Sequence, residues 1–149
     1  MKLVIDSNVL ISALLRNGQT RHLLIRSGLE LYMSDFVLNE FERHIDLFVK
    51  KTKLSRDVLR NVLQLLIEDI IIVETKEIIP HLSEAKLIMD SIDPDDIPIL
   101  ATALAISSDG IWTDDKHFQL QNIVPIWKTS DLIEKFENRT SGLSHNIYK

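Results

Sequence analysis

The sequence predicts a single α/β domain, with a parallel β-sheet covered by helices on both faces. Three observations point there. Short apolar stretches alternate along the whole chain with segments of helical periodicity, the pattern of strand–helix–strand units. One of those stretches, "IIIV" at 70–73, is an unbroken β-branched run of the kind that parallel strands show. The length of 149 residues, 45% of them hydrophobic and 26% charged, suits one domain with a real core. No internal repeat, linker or low-complexity segment divides the chain. The domain is expected over 1–138, followed by a tail at 139–149 that lacks periodicity and is mobile or a partner contact.

The elements follow in order. "KLVI", 2–5, is a short strand ending at Asp6. "SNVLISALL" continues as a helix with Ser7 or Asn8 near its cap. "NGQT" breaks it, and Thr20 caps a short helix running to Ser27 before Gly28. "LELYMS", 29–34, is the second strand. Ser34 caps a helix over about 35–50, in which Val37, Phe41, Ile45 and Phe48 make an amphipathic stripe. A second long helix is expected over about 55–69, with Val58, Val62, Leu65 and Leu66 on its apolar side. "IIIV" is a buried strand, and a short helix covers 83–89.

The acidic stretch "SIDPDDIP" then opens the "ILATALAIS" helix. Pro98 has no N–H and fits only the first turn, so the helix starts near Asp95, with Asp95 as N-cap and Asp96 in the first turn. "GIWT", 110–113, is a strand. "IVPIW", 123–127, is an edge strand, because Pro125 cannot donate to a ladder. "SDLIEKFEN", 130–138, is the last helix.

Composition excludes several classes. Without cysteine, disulfides and thiolate metal sites are ruled out, which fits a reducing compartment. No apolar run is long enough to span a bilayer, and Asp6 and Asn8 interrupt the N-terminal apolar stretch, so it reads as strand and helix and not as a secretory signal. A cytoplasmic protein with no membrane partner is expected. The net charge of −5 is no footprint of a nonspecific nucleic-acid binder. It is compatible with a nuclease, because a carboxylate cluster lowers net charge and its metals restore positive charge locally.

Four acids fall where an open parallel sheet gathers function, at the carboxyl ends of its strands. Asp6 ends the first strand, Asp115 follows the "GIWT" strand, and Asp96 opens a helix. Glu40 lies at the border of the 35–50 stripe, one turn before His44. Capping and the helix dipole account for Asp95, and the Asp-Pro turn accounts for Asp93. Asp96 departs from that reading if other acids approach it, since clustered carboxylates raise one another's pKa unless a cation neutralises them. Such a cation is hard and oxygen-loving. With no cysteines and scattered histidines, Mg²⁺ or Mn²⁺ suits the side chains better than zinc. Spacing alone leaves two readings, a metal site or a set of caps and turn acids.

The remaining polar residues also carry two readings each. Asn8 holds Asp6 or a water, or caps the first helix. Thr113 hydrogen-bonds within the site, or is a β-branched strand residue. Asp114 reads as a solvated turn acid. His44 and His117 read as structural and stay outside the site. "KKTK" with Arg56 and Arg60 guides phosphate groups or is a solvated connection, the second being favoured. Arg16, Arg21 and Arg26 are open in the same way. Trp112 and Trp127 read as core or strand-edge residues.

Four motifs in order, "VIDSNVLISAL", "LNEFERH", "DPDDIPILATALA" and "WTDDKHF", resemble the PIN-domain family (PilT N-terminus-like ribonucleases) from Lys2 to about Glu137. On that resemblance the family's acids correspond to Asp6, Glu40, Asp96 and Asp115. The last follows the pattern "T-x-D", which picks Asp115 over Asp114, and Asn8 stands two positions after the first acid. The resemblance implies a three-layer α/β/α sandwich and one or two Mg²⁺ or Mn²⁺ ions. It also implies hydrolysis of RNA phosphodiester bonds by a metal-dependent endoribonuclease.

In the implied chemistry, Asp6 and Asp96 hold the main metal and Asp115 completes the site directly or through water. Glu40 helps hold a second ion or orients the attacking water. Products carry 5′-phosphate and 3′-hydroxyl ends. Many relatives are toxins of toxin–antitoxin pairs held by a small antitoxin protein, and others process RNA without one; the sequence leaves both roles open. A homodimer is expected from the family and from apolar positions on the Leu59–Leu66 helix. The alternative is a catalytically silent PIN-like module that binds RNA or protein; the presence of all four acids argues against it. A phosphatase of the haloacid dehalogenase type needs a second Asp where Asn8 stands, and no matching lysine motif is present.

Overall fold

The structure is a computed structural model that describes residues 1–26 and 28–136. Its centre is a five-stranded sheet built of β1 (Lys2–Ile5), β2 (Glu30–Ser34), β3 (Ile71–Val73), β4 (Gly110–Trp112) and β5 (Ile126–Trp127). The order across the sheet is β3-β2-β1-β4-β5 and every pairing is parallel. Each connection therefore crosses over, and the helices that make the crossovers cover both faces.

The period-2 alternation of strand side chains splits the core into two. Leu3 and Ile5 of β1, Leu31 and Met33 of β2 and Trp112 of β4 point to one face. They meet α1 (Ser7–Leu15), α2 (Gln19–Arg26), α3 (Asp35–Arg43), α4 (Ile45–Thr52) and α5 (Arg56–Leu66). Val4 and Ile111 point to the other face, against α6 (Thr75–Ile78), α7 (Leu82–Met89) and α8 (Ile97–Ala105). A helix over 129–136 returns to the first face through Leu132. This is the three-layer α/β/α sandwich that the sequence led us to expect. Leu3, Ile5, Leu100 and Trp112 are fully buried, each contributing about 1.5–3 kcal/mol of transfer free energy.

Several expected boundaries differ, each for an identifiable reason. The helix expected over 35–50 is two helices that turn at His44, whose φ of −107° and ψ of 11° leave the helical region. Seven residues of straight helix rise about 10 Å; the turn instead stacks the rings of Phe41 and Phe48 with centroids 5.5 Å apart. Ser55 caps α5 by accepting from the Val58 N–H, and the helix ends at Leu66, short of 69. Its buried face is Leu59, Leu63 and Leu66, while Val58 and Leu65 are 42% and 70% exposed. The apolar side assigned from the sequence was thus rotated about one position.

β3 is an edge strand with Ile71 exposed, and not a strand covered on both sides. The segment after it forms α6 and a 3₁₀ turn at Ile79–His81 that the sequence reading missed. Thr75 there donates its N–H and its hydroxyl to Asp35 Oδ2, at 2.9 and 2.7 Å, across 40 positions of chain. No local pattern announces such a tie. The helix α2 begins at Gln19, one residue ahead of the expected Thr20 cap. β5 is shorter than "IVPIW" but lies at the edge as expected, where Pro125 offers its carbonyl to the Ile111 N–H at 2.9 Å.

The expected Asp95 cap is also corrected. Asp93 is the capping residue: its Oδ1 accepts from the Asp95 N–H at 3.1 Å and opens a 3₁₀ turn at Pro94–Asp96. Pro94 holds Asp93 extended, and α8 starts at Ile97, one residue later than its acids suggested, with Pro98 in its first turn as expected. The expected C-terminal tail at 139–149 lies outside the described residues. Among the described residues, no helix is long and apolar enough to cross a membrane.

Candidate metal centre

β1 and β4 are neighbours at the middle of the sheet, with Ile5 in register with Trp112. The Asp6 N–H still bonds to the Trp112 carbonyl at 3.1 Å, so the two chains leave the sheet side by side. Asp6 and the Thr113–Asp115 segment therefore emerge at the same place. The N-terminus of α8 comes to the same end of the sheet and brings Asp96.

Asp6 is 1% exposed. Its Oδ2 accepts from the buried Thr113 hydroxyl at 2.8 Å and its Oδ1 from the Ser7 hydroxyl at 3.2 Å. Burial pushes its carboxyl above the usual range and nearby Asp115 adds to the rise, while the bonds from Thr113, Ser7 and the Asn8 main chain work the other way. Thr113 stands one residue past β4, shorter by that residue than the expected 110–113 strand; its N–H bonds to the Trp127 carbonyl at 3.1 Å, and its hydroxyl also accepts the Asp115 N–H at 3.0 Å, linking the two acids. Asp115 heads a 3₁₀ turn at Lys116–Leu120, its Oδ1 accepting from the His117 N–H at 2.9 Å.

Asp96 is 8% exposed. Its carboxyl is pushed up to about 7, first by burial, then by Asp6, Asp93, Asp115 and Asp95 around it. Its Oδ2 is buried and has no hydrogen-bond partner among the described residues. Glu40 is half-buried on α3 and lines a cleft of about 460 Å³ together with Ser7, Arg43, Asp95 and Asp96. It faces the group from the cleft wall and is not one of the closely packed acids.

Asn8 is exposed and lines a smaller hollow with Glu40 and His44. It does not cap α1, because Asp6 is the N-cap residue and Ser7 is already helical. Asp114 turns away from the site: its carboxylate accepts the Thr129 N–H at 2.8 Å and hydroxyl at 2.6 Å, securing the start of the last helix. Arg56 and Arg60 are engaged by Asp46 and Glu42, and Arg21 donates to the Ala13 and Leu14 carbonyls, so these arginines serve the fold. Trp112 is core, its indole N–H bonded to the Thr129 hydroxyl at 3.0 Å, and Trp127 lies on the edge strand beneath Lys135.

Two residues left outside the site lie against it. One ligand atom each from Asp93, Asp96, Asp115 and His117 fall within 4.8 Å of one another; Asp6 stands beside this group but is not within that span of all its members. His117 was set aside as a lone histidine. The available signal was its place two residues past Asp115 in a turn that Asp115 caps, which folds the ring back toward the acid.

The donors fit a hard divalent cation. Among the described residues, no lysine or arginine forms an ion pair with Asp6, Asp93, Asp96 or Asp115. The acids repel one another, and a buried carboxylate oxygen has nothing to accept from. A cation at this spot answers both, and carboxylate oxygens select Mg²⁺- or Mn²⁺-like ions.

Comparison with known proteins agrees with this fold. A family model described as "PIN domain" matches residues 4–137. The structure of VapBC2 from Rickettsia felis, bound to a DNA fragment from their promoter, is similar with a TM-score of 0.67 at 16% identity, covering 86% of this chain and 98% of that one. FitAcB from Neisseria gonorrhoeae is similar with a TM-score of 0.61 at 21% identity, covering 87% of this chain and 98% of that one. At these identities the likeness is one of fold. No curated protein matches the chain.

Proposed function

We propose that this chain, which belongs to the PIN-domain family, is a metal-dependent endoribonuclease whose centre is Asp6, Asp96 and Asp115, with Glu40 facing them. The observation that carries the proposal is Asp96, nearly fully buried among like charges with an oxygen that accepts nothing. Capping does not account for it, since α8 receives no side-chain cap from Asp96.

Asp6, Asp96 and Asp115 would hold the ion. When bound, Mg²⁺ or Mn²⁺ supplies Lewis acidity, making water more acidic and offsetting charge that develops on the phosphate. The chain does the rest. Thr113 holds Asp6 and the Asp115 backbone in one unit, so the carboxylates are set before substrate arrives. Glu40, across the cleft, orients the attacking water and takes its proton. Arg43, one turn further along α3 on the same cleft wall, is the cation placed to receive a flanking phosphate. Water attack leaves 5′-phosphate and 3′-hydroxyl ends.

The toxin role is the finer reading, supported by the resemblance of the motifs to a family in which many members are held by a small antitoxin. RNA as substrate, a homodimer and a cytoplasmic location belong to the same proposal.

The test is cleavage of a mixed-sequence, fluorescent single-stranded RNA with Mn²⁺, Mg²⁺ or EDTA, beside the Asp96→Asn variant. Cutting should require metal, leave 3′-hydroxyl ends and drop at least about a hundredfold in the variant. Products ending in 2′,3′-cyclic phosphate would sink the water-attack scheme. Cutting that persists in EDTA would sink the metal.

A further inference from the structure

We infer that His117 is a nitrogen ligand of this metal centre, with Asp93 beside it, and that it tips the site toward Mn²⁺ over Mg²⁺. The inference rests on the metal centre proposed above and adds two residues that the four-acid motif does not contain.

Geometry comes first. His117 Nδ1 lies 3.3 Å from Asp93 Oδ2 and 3.3 Å from Asp115 Oδ1. A ring nitrogen carries at most one proton, so hydrogen bonding accounts for one of these contacts, and 3.3 Å is long for an N–H···O bond. Both separations suit neighbouring ligands of one cation: donor atoms bonded at about 2.1 Å and at right angles stand about 3 Å apart. The fourth member, Asp96, falls within the same 4.8 Å span. It is more than nine-tenths buried, and its Oδ2 is without a partner among the described residues, so the spot lacks a positive group.

The local backbone delivers this arrangement. Asp115 caps its own turn by accepting the His117 N–H, which holds the His117 backbone beside the acid and brings the ring nitrogen to 3.3 Å from it. Asp93 is held by the 3₁₀ turn that precedes α8, its Oδ1 accepting from the Asp95 N–H. That contact leaves Oδ2, the oxygen facing His117, free of that turn. Asp93 and Asp115 thus each have a second contact that orients the carboxylate.

The chemical consequence follows from donor type. Mg²⁺ keeps oxygen ligands and water, whereas imidazole suits transition ions. A site with one imidazole nitrogen among carboxylates therefore binds Mn²⁺ better, relative to Mg²⁺, than the same site made of oxygens alone.

Pulsed electron paramagnetic resonance on the Mn²⁺-loaded full chain reads the ligand directly, without reference to activity. The wild type should show ¹⁴N modulation from a bound imidazole, absent in His117→Gln and absent when histidine is ¹⁵N-labelled. In competition with Mg²⁺, His117→Gln should lose about tenfold or more of its preference for Mn²⁺. His117 is largely exposed, so the substitution leaves the core intact. Asp93→Asn, which keeps the ring, should retain the nitrogen signal with weaker Mn²⁺ binding. Mn²⁺ bound without nitrogen coupling would overturn this inference and leave the metal centre standing. No Mn²⁺ binding at all would overturn both.

Discussion

Asp96 concentrates the physical argument at the scale of a residue. Its carboxyl is raised from an ordinary 3.8 to about 7 by burial and by its acidic neighbours. A raised acid holds its proton more tightly in the folded state. Its contribution to stability is complete below the unfolded value and is lost as pH rises through about 7. The metal-free protein should therefore lose stability, relative to Asp96→Asn, at up to about 1.4 kcal/mol per pH unit across that window. Urea unfolding of both proteins in EDTA between pH 4 and 8 measures the difference. A constant difference would show that Asp96 is not strained by its surroundings. Three of the four acids were readable in sequence as neighbours in space, because strand ends and helix starts share one side of a parallel sheet. Asp93 and His117 were not, since their approach depends on the exact path of two short 3₁₀ turns.

At the scale of an element, β4 carries the site and β5 braces it. Gly110 opens β4, and a Cβ there would stand 2.7 Å from the Pro125 carbonyl oxygen and 2.7 Å from Trp127 Cδ1. Backbone cannot give way cheaply at that distance. Gly110→Ala should displace β5 and cost about 1–3 kcal/mol, the usual penalty of overpacking. An unchanged denaturation midpoint would contradict the close contact. The strands and most helices were legible because their apolar runs are short and well separated. The break at His44 was not: the stripe Val37, Phe41, Ile45 and Phe48 stays buried on both sides of it, so the sequence carries one continuous periodicity over two helices. On α5 the helix was legible and its phase was not, because apolar residues stand on more than one side of it and only the sheet decides which are covered.

At the scale of the whole molecule, the two-faced core makes a rigid platform, and the acids sit at one end of it, where crossovers leave a cleft. The homodimer proposed above would use the exposed Val58 and Leu65 of α5, which are not among the residues lining that cleft. Light scattering should give a dimer, and Leu65→Asp a monomer with unchanged circular dichroism; a monomeric wild type would contradict the assignment. The claim on which the functional account depends is that Asp6, Asp96 and Asp115 together hold a divalent ion. Its most direct test is anomalous diffraction from crystals of the protein grown with Mn²⁺. A manganese peak is expected among the carboxylates of Asp6, Asp96 and Asp115. A well-ordered site with no peak there, at Mn²⁺ concentrations that support cleavage, would contradict it.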